Sequence, residues 1–344
     1  MPSLSKVRSE TRFILKWGSI LAILFLVVYL GTVIKEKISP SPNPPPTVSF
    51  GKLNQIEFPP SREKEGFKYT IDTLTGKLPE FPDRTKIYKF SPGRVDFLSL
   101  EKAKEKVSVL GFKNKESFIA ENTYEWIERE PLLRKISYNI LSSDFVFSTS
   151  FLTDPIVESG TNLPTDDEAI GIAKRFFESQ SSFPKDIDET KTKIALFSIK
   201  NYTLIPADEI QKAKIIRIDF FQKDIDGLPI YYPNFMFSTI NALIAGGQNA
   251  PQVVEASFSY HYISNDSATY PIKSSSQAFE ELKREKAIII SYSGKTTDIL
   301  IKNVFLAYYL DQKNQKHLMP IIVFEGNDDF VAYVSAVKDE WINN

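Results

Sequence analysis

The residues of this chain that could carry acid–base or metal chemistry begin with its two histidines, His261 and His317. There is no cysteine and no H-x-x-x-H spacing, so a zinc site would need carboxylates brought in from distant strands. We interpret both histidines as residues on sheet faces, and the sequence predicts no metal site. A histidine beside two carboxylates in a deep cleft would instead favour an enzyme.

Two acidic turns resemble calcium-binding loops only in part. The sequence from Asp224 to Gly227 starts like such a loop, but the pattern requires Gly at its sixth position and Glu at its twelfth, where this chain has Pro229 and Phe235. We interpret it as a tight turn in which Gly227 supplies a positive φ. The second acidic turn, with weak surface calcium binding as the alternative, contains Glu325, Asp328 and Asp329.

Nucleophilic and phosphate chemistry have no support in the sequence. G-x-S-x-G is absent, and Ser-x-x-Lys occurs six times at scattered positions without the motifs that accompany it in enzymes. Neither G-x-x-x-x-G-K-[ST] nor G-x-G-x-x-G is present. The sequence therefore predicts no catalytic residue and no cofactor, and we expect the protein not to be an enzyme.

Paired aromatic residues have two interpretations. They would line a groove for peptide or glycan, or they would fill the core of a sheet, where aromatics at a period of two are expected. We favour the core. An open sheet edge that accepts an extended peptide is the predicted route to a partner, and no partner-binding residue is assigned. These aromatics are Tyr231, Tyr232, Phe235, Phe237, Tyr260, Tyr262, Tyr308 and Tyr309.

Three amphipathic helices, each followed by strands, would position these residues. The first helix is predicted over 100–110, and the other two begin at Thr165 and at Ser274. Each of these two begins with a capping box, in which Thr165 pairs with Glu168 and Ser274 pairs with Gln277. The run over 253–263 alternates as a strand does, and turns at 311–316 and 325–329 join the last three strands. The predicted fold class is α+β, with antiparallel sheets each covered by a helix.

An apolar stretch precedes this part of the chain. Residues 17–34 carry no charge and, with 13–16, predict a single transmembrane helix over 13–34. The basic residues of the tail, 1–12, predict a cytoplasmic N-terminus and an extracytoplasmic C-terminal part. A cleaved signal peptide and a core helix of a soluble protein are the alternatives. The proline-rich segment 35–62 is a predicted linker, followed by an α+β module over 63–160 and a second region over 161–344.

Composition excludes one class of partner. The 42 basic and 43 acidic residues leave no basic face for nucleic acid. The absence of cysteine means that an extracytoplasmic domain would depend on an ordinary core and not on disulfides.

The second half, 165–337, resembles the PepSY-like modules of extracytoplasmic bacterial regulators of the YycH and YycI type. The resemblance depends on RIDFFQ (217–222), DGLPI (226–230), the helix from Ser274 leading into 288–290, LAYYL (306–310) and MPIIVF (319–324). It implies one membrane anchor, an outward domain and a role in restraining peptidases or modulating a sensor kinase. It implies no catalytic residue.

The expected function is that of a single-pass, membrane-anchored extracytoplasmic binding or regulatory protein that contacts a peptide or protein partner in the cell envelope. A membrane-tethered envelope hydrolase and a structural component of an envelope complex are the alternatives. The identity of the partner and the oligomeric state do not follow from the sequence.

Overall fold

The computed structural model describes residues 17–18, 23–27, 29–30, 45–61, 66–91, 93, 95–159, 162–180, 183–311 and 315–343. They fall into two units, Met1–Pro46 and Thr47–Asn344. Within the described part of the second unit the helices are α1 (Ser99–Val109), α2 (Pro155–Ser159), α3 (Asp166–Gln180) and α4 (Ser275–Lys283), with short 3-10 turns at Phe151–Thr153, Ile210–Lys212 and Asp339–Trp341.

Strands dominate the second unit. They are β1 (Lys68–Ile71), β2 (Arg84–Phe90), β3 (Ser117–Ala120), β4 (Thr123–Glu128), β5 (Arg134–Asn139), β6 (Phe145–Thr149), β7 (Ile187–Lys200), β8 (Thr203–Pro206), β9 (Ile215–Gln222), β10 (Ile230–Tyr231), β11 (Ile240–Ala245), β12 (Gln252–Phe258), β13 (Ile263–Pro271), β14 (Ile288–Ser291), β15 (Asp298–Tyr309), β16 (His317–Gly326) and β17 (Val331–Ser335).

One sheet has nine strands in the order β3-β4-β5-β6-β12-β11-β9-β7-β8, all antiparallel. Helices α1 and α3 pack on one face, where Val107 and Phe177 join the buried aromatics of the strands. The predicted capping box of α3 is present: the Thr165 amide donates to the Glu168 carboxylate at 2.9 Å, and the Glu168 amide donates to the Thr165 hydroxyl at 3.4 Å. Local sequence thus fixes where this helix begins.

The other sheet has eight strands. Its main order is β1-β15-β16-β17-β14; β10 also pairs with β15, and β2 joins β16 to β13. Strands β1 and β10 run parallel to β15. Helix α4 packs on one face through Ala278 and Leu282. The opposite face is covered by residues 47–60, which we call the strap.

The strap is attached to the sheet by backbone and side-chain contacts. Its Leu53 is only 1% exposed and donates its amide to the Trp341 carbonyl at 2.8 Å, while the Asn343 amide donates to the Leu53 carbonyl at 2.8 Å. Near its beginning, the Val48 amide donates to the Thr269 carbonyl at 3.1 Å. These strap residues lie within the predicted linker 35–62, so residues 47–60 of that segment contribute to the core.

The predicted fold class is wrong. The chain does not form successive small sheets that are each covered by a helix; it is mainly β, in two large sheets. The reason is long-range pairing. Strand β6 pairs with β12, across the predicted boundary at 160, and β1 pairs with β15. Hydrophobic periodicity identifies the buried face of a strand but does not identify its neighbours.

The predicted transmembrane helix is also not found in the part of the chain that the structure describes, where no helix is both long enough and apolar enough to cross a membrane. Most of the stretch 13–34 lies outside the described residues, as does the tail 1–12. The described positions within it, 17–18, 23–27 and 29–30, are helical.

Candidate binding cleft

A cleft of about 570 Å³ lies between the strap and the hairpin of β15 and β16. Its floor consists of the buried side chains of Ile56, Tyr309 and Met319. Its rim is polar. The other lining residues are Asn54, Gln55, Glu57, Asp311, Gln315, Lys316 and His317.

The hairpin positions the floor. Tyr309 at the end of β15 lies directly opposite Met319 on β16, so their side chains share one face of the sheet. Gln315 then fixes the chain that follows β15: its Nε2 donates to the Tyr309 carbonyl at 2.9 Å and its Oε1 accepts from the Asp311 amide at 3.0 Å. Tyr309 and Asp311 are therefore held in place by one side chain.

The hydroxyl of Tyr309 is the unusual group of the cleft. Tyr309 is 1% exposed, and its hydroxyl has no hydrogen-bond partner among the described residues. Its ring packs edge-on against Phe58 of the strap, with centroids 5.0 Å apart. Burial raises the pKa of the hydroxyl, and the Asp311 carboxylate raises it further. The group therefore remains a hydrogen-bond donor near neutral pH, and a buried donor without an acceptor is unfavourable.

His317 lines the same cleft. Its ring stacks on Phe50 of the strap with centroids 5.0 Å apart. Burial lowers its pKa, and the charges of Lys89 and Lys316 lower it further. Two carboxylates, those of Glu57 and Asp311, line the cleft with it.

His261 lies beside the segment after β15 that contains Asp311. Its Nε2 is 3.2 Å from the Asp311 carbonyl oxygen, and its ring lies 5.0 Å from that of Phe90. Strand β2 brings the two histidines to one end of the sheet, because it pairs with both β13 and β16. No signal in the sequence predicts this double pairing. Among the described residues, no group of three or more His, Asp or Glu side chains is placed to hold a metal ion.

The acidic sequence from Asp224 to Gly227 forms the predicted tight turn. Ile225 and Leu228 exchange backbone hydrogen bonds of 3.0 and 2.9 Å, and Asp226 and Gly227 have φ values of 52° and 76°. The prediction is confirmed, including the role of Gly227. The Asp226 carboxylate accepts a 2.5 Å hydrogen bond from the Tyr88 hydroxyl, so it joins β2 to the turn.

Most of the paired aromatics are core residues, as predicted. Tyr232, Tyr260 and Tyr308 are buried, whereas Tyr262 is exposed. Tyr309 belongs to the core and also to the cleft, which the sequence did not distinguish. Strand β3 forms one edge of the nine-stranded sheet, and its Phe118 side chain is 67% exposed.

A second depression, of about 700 Å³, is lined by charged residues near the end of the chain. At its base the Lys273 ammonium, whose side chain is 8% exposed, lies 2.8 Å from the Glu281 carboxylate and 2.8 Å from that of Asp339. These pairs connect α4 to the 3-10 turn at Asp339–Trp341. We interpret this depression as structural, because the buried cation already has both of its anions.

No family model matches the chain, and no curated protein matches it. Among solved structures, it is similar to an uncharacterised protein from Eubacterium rectale, with 14% identity and a TM-score of 0.38 over 79% of this chain and 88% of that one. It is also similar to the C-terminal domain of YpeB from Bacillus megaterium, with 9% identity and a TM-score of 0.32 over 72% of this chain and 95% of that domain. Similarity at this level decides neither family nor function.

Proposed function

We propose that this protein is a non-enzymatic binding or regulatory protein of the cell envelope, and that its cleft accepts a peptide segment of a partner. The observation that carries the proposal is the cleft itself, with its apolar floor and polar rim; one of its lining residues is Tyr309, whose buried hydroxyl has no acceptor among the described residues. A ligand that supplies an acceptor removes the cost of leaving this donor unpaired.

An extended peptide fits this chemistry. Its backbone carries a carbonyl oxygen at every residue, which gives the hydroxyl an acceptor. The apolar floor formed by Ile56 and Met319 offers a place for an adjacent apolar side chain, and the volume of about 570 Å³ lies within the usual range for ligand sites. The polar rim leaves the ends of a bound peptide in contact with water.

The hydrolase alternative depends on one observation, the presence of His317, Glu57 and Asp311 in the lining of the cleft. A general base of this kind needs a hydrogen-bonded partner that orients it. His317 instead stacks on Phe50, an apolar side chain that cannot orient it through a hydrogen bond. We therefore favour binding over catalysis.

The proposed location is the extracytoplasmic side of the cell membrane. It is supported by the sequence: residues 17–34 carry no charge, and the 16 residues before them include four basic ones and one acidic one. The resemblance of 165–337 to PepSY-like modules supports a regulatory role in the same compartment. Fractionation of cells, followed by protease treatment of intact cells, tests the location. Recovery of the chain in the cytosol would contradict it.

Peptide binding is tested with the full chain in detergent micelles. The probe is a pool of tetrapeptides of random sequence, acetylated and amidated at their ends, detected by saturation-transfer NMR. We expect binding by the wild-type protein and about two- to tenfold weaker binding by Tyr309→Phe, which corresponds to the loss of one neutral hydrogen bond.

The matched control is Tyr308→Phe. Tyr308 is the neighbouring tyrosine, and its hydroxyl already donates to the Lys86 carbonyl at 2.9 Å, away from the cleft. This variant should bind the pool as the wild-type protein does. If no member of the pool binds the wild-type protein, or if both variants bind equally well, the cleft is not the proposed peptide site.

A further inference from the structure

Strand β3 ends the nine-stranded sheet, and among the described residues no strand pairs with its outer side. All four of its residues are exposed. Two of them are large and apolar: the Phe118 side chain is 67% exposed and that of Ile119 is 49% exposed. An open edge with apolar side chains is a template on which another strand can pair.

Other edge strands of the protein are blocked. Strand β8 ends in Pro206, which has no amide to donate. The Thr269 carbonyl of β13 accepts from the Val48 amide of the strap, and the Ile289 amide of β14 donates to the Ser61 hydroxyl. The edge of β3 carries no proline and, within the part of the chain that the structure describes, no covering segment.

The hydrogen-bond pattern of the sheet shows which backbone groups of β3 face outward. The Asn139 amide at the end of β5 donates to the Asp144 carbonyl, toward β6. Alternation then directs the backbone of Tyr138 toward β4, so Tyr138 forms a hydrogen-bonded pair with Tyr124 opposite it. Phe118 lies opposite Tyr124 on the other side of β4. The N–H and C=O of Phe118 therefore point away from β4, to the open edge.

The edge is interrupted on both sides of Phe118. A bulge lies between Phe118 and Ala120, and the Glu116 carboxylate accepts a hydrogen bond from its own amide. A long partner strand could not pair along such an edge. A strand with the same interruptions loses nothing, because it also offers one donor and one acceptor.

We propose that β3 pairs antiparallel with β3 of a second copy of this chain, about a two-fold axis at Phe118. The N–H of each Phe118 donates to the C=O of the other, so the contact is self-complementary, as a two-fold interface requires. The two nine-stranded sheets become one continuous sheet.

The charges that flank Phe118 fit this arrangement. Lys115 and Glu121 are both exposed and lie at equal distances along the chain on either side of Phe118. Antiparallel pairing brings Lys115 of one copy near Glu121 of the other, and the symmetry repeats this contact. Glu116 is already paired with Lys104 of its own copy at 3.1 Å.

Amide hydrogen exchange of the full chain in detergent micelles tests the pairing. The reporter is the Phe118 amide, and the Ser117 amide, which faces β4, is the internal control. We expect exchange at Phe118 to be several-fold slower at high than at low protein concentration, and exchange at Ser117 to be unchanged. A Phe118 rate that does not depend on concentration would overturn the inference.

Disulfide formation tests the register. In the proposed contact Ser117 of one copy lies opposite Ile119 of the other, with Cα atoms about 4.5 Å apart, which suits a disulfide. The chain has no cysteine, so only introduced thiols react. A mixture of Ser117→Cys and Ile119→Cys should cross-link several-fold faster than either variant alone.

The matched control is Tyr202→Cys, because Tyr202 is 71% exposed in the turn between β7 and β8 of the same sheet. Cross-linking of this variant as fast as that of the mixture would refute the contact. The β3 contact does not involve the cleft, so it can fail without affecting the proposed function. Protection of the Phe118 amide by the tetrapeptide pool, with none at higher protein concentration, would show that the edge binds peptide and would overturn the pairing of two copies.

Discussion

Replacement of Lys273 by Met should destabilise the protein measurably, because it removes a buried cation and leaves its anions behind. The Lys273 side chain is 8% exposed, and the change keeps most of its aliphatic stem while deleting the ammonium. Its two carboxylate partners differ in environment: the Glu281 side chain is 22% exposed and that of Asp339 is 80% exposed. The loss of stability should therefore come mainly from leaving the Glu281 carboxylate without its cation.

The magnitude follows from these exposures. A hydrogen bond to a charged group contributes about 1.5–3 kcal/mol when it is largely buried, whereas an exposed ion pair contributes about 0–1 kcal/mol. We expect Lys273→Met to lower the free energy of unfolding by about 2–4 kcal/mol. Glu281→Gln keeps the size of the side chain and should recover part of this loss when the two changes are combined.

Urea unfolding at neutral pH measures the effect, and Lys283→Met is the matched control. Lys283 pairs with Glu280 on the exposed surface of α4, so its replacement should cost less than about 0.5 kcal/mol. The reasoning is refuted if the two lysine variants differ by less than about 0.5 kcal/mol, or if 1 M salt weakens the wild-type protein as much as Lys273→Met does.

Three further predictions concern other parts of the structure. Burial holds the pKa of His317 below its ordinary value of 6.5, so the unfolded chain takes up that proton before the folded protein does. The free energy of unfolding should therefore fall as the pH drops from 7 to 5, and urea midpoints should show a smaller fall in His317→Asn. Gly247→Ala places a Cβ 2.0 Å from the Ala250 carbonyl oxygen and should cost about 2 kcal/mol or more in thermal unfolding; a neutral result would show that this loop shifts freely. Phe118 is 67% exposed on β3, an edge strand of the described sheet, so we expect the protein to associate through this edge as its concentration rises and Phe118→Lys to reduce that association in sedimentation experiments. Equal association of the two proteins, or none in the wild-type protein, would contradict this expectation.

Signals that act over a few residues were predicted well. The capping box at Ser274 and Gln277 is present with both of its hydrogen bonds, and Gly111, directly after the helix predicted over 100–110, adopts a positive φ. The helix α1 itself begins at Ser99, one residue before the predicted start at 100. Such features depend on backbone geometry within one turn, which the local sequence determines.

Features that depend on distant neighbours were not predicted. The side chain of Leu53 lies in a proline-rich region that reads as a linker, and its burial depends on the final residues of the chain. Tyr308 and Tyr309 are adjacent and identical in type, yet among the described residues only the Tyr308 hydroxyl has a partner, because alternation sends the two side chains to opposite faces of β15. The sequence identifies both as core residues and cannot show which one has an acceptor.

The pairing of β1 with β15 also has a consequence for biosynthesis. The Ser61 hydroxyl and the Ile289 amide, which are joined just before this pair of strands, are 228 positions apart. At about 5–20 residues per second, a ribosome needs roughly 10–45 s to supply the missing partner. During that interval the early strands emerge without their neighbours, so we expect the nascent polypeptide to depend on chaperones until translation is nearly finished.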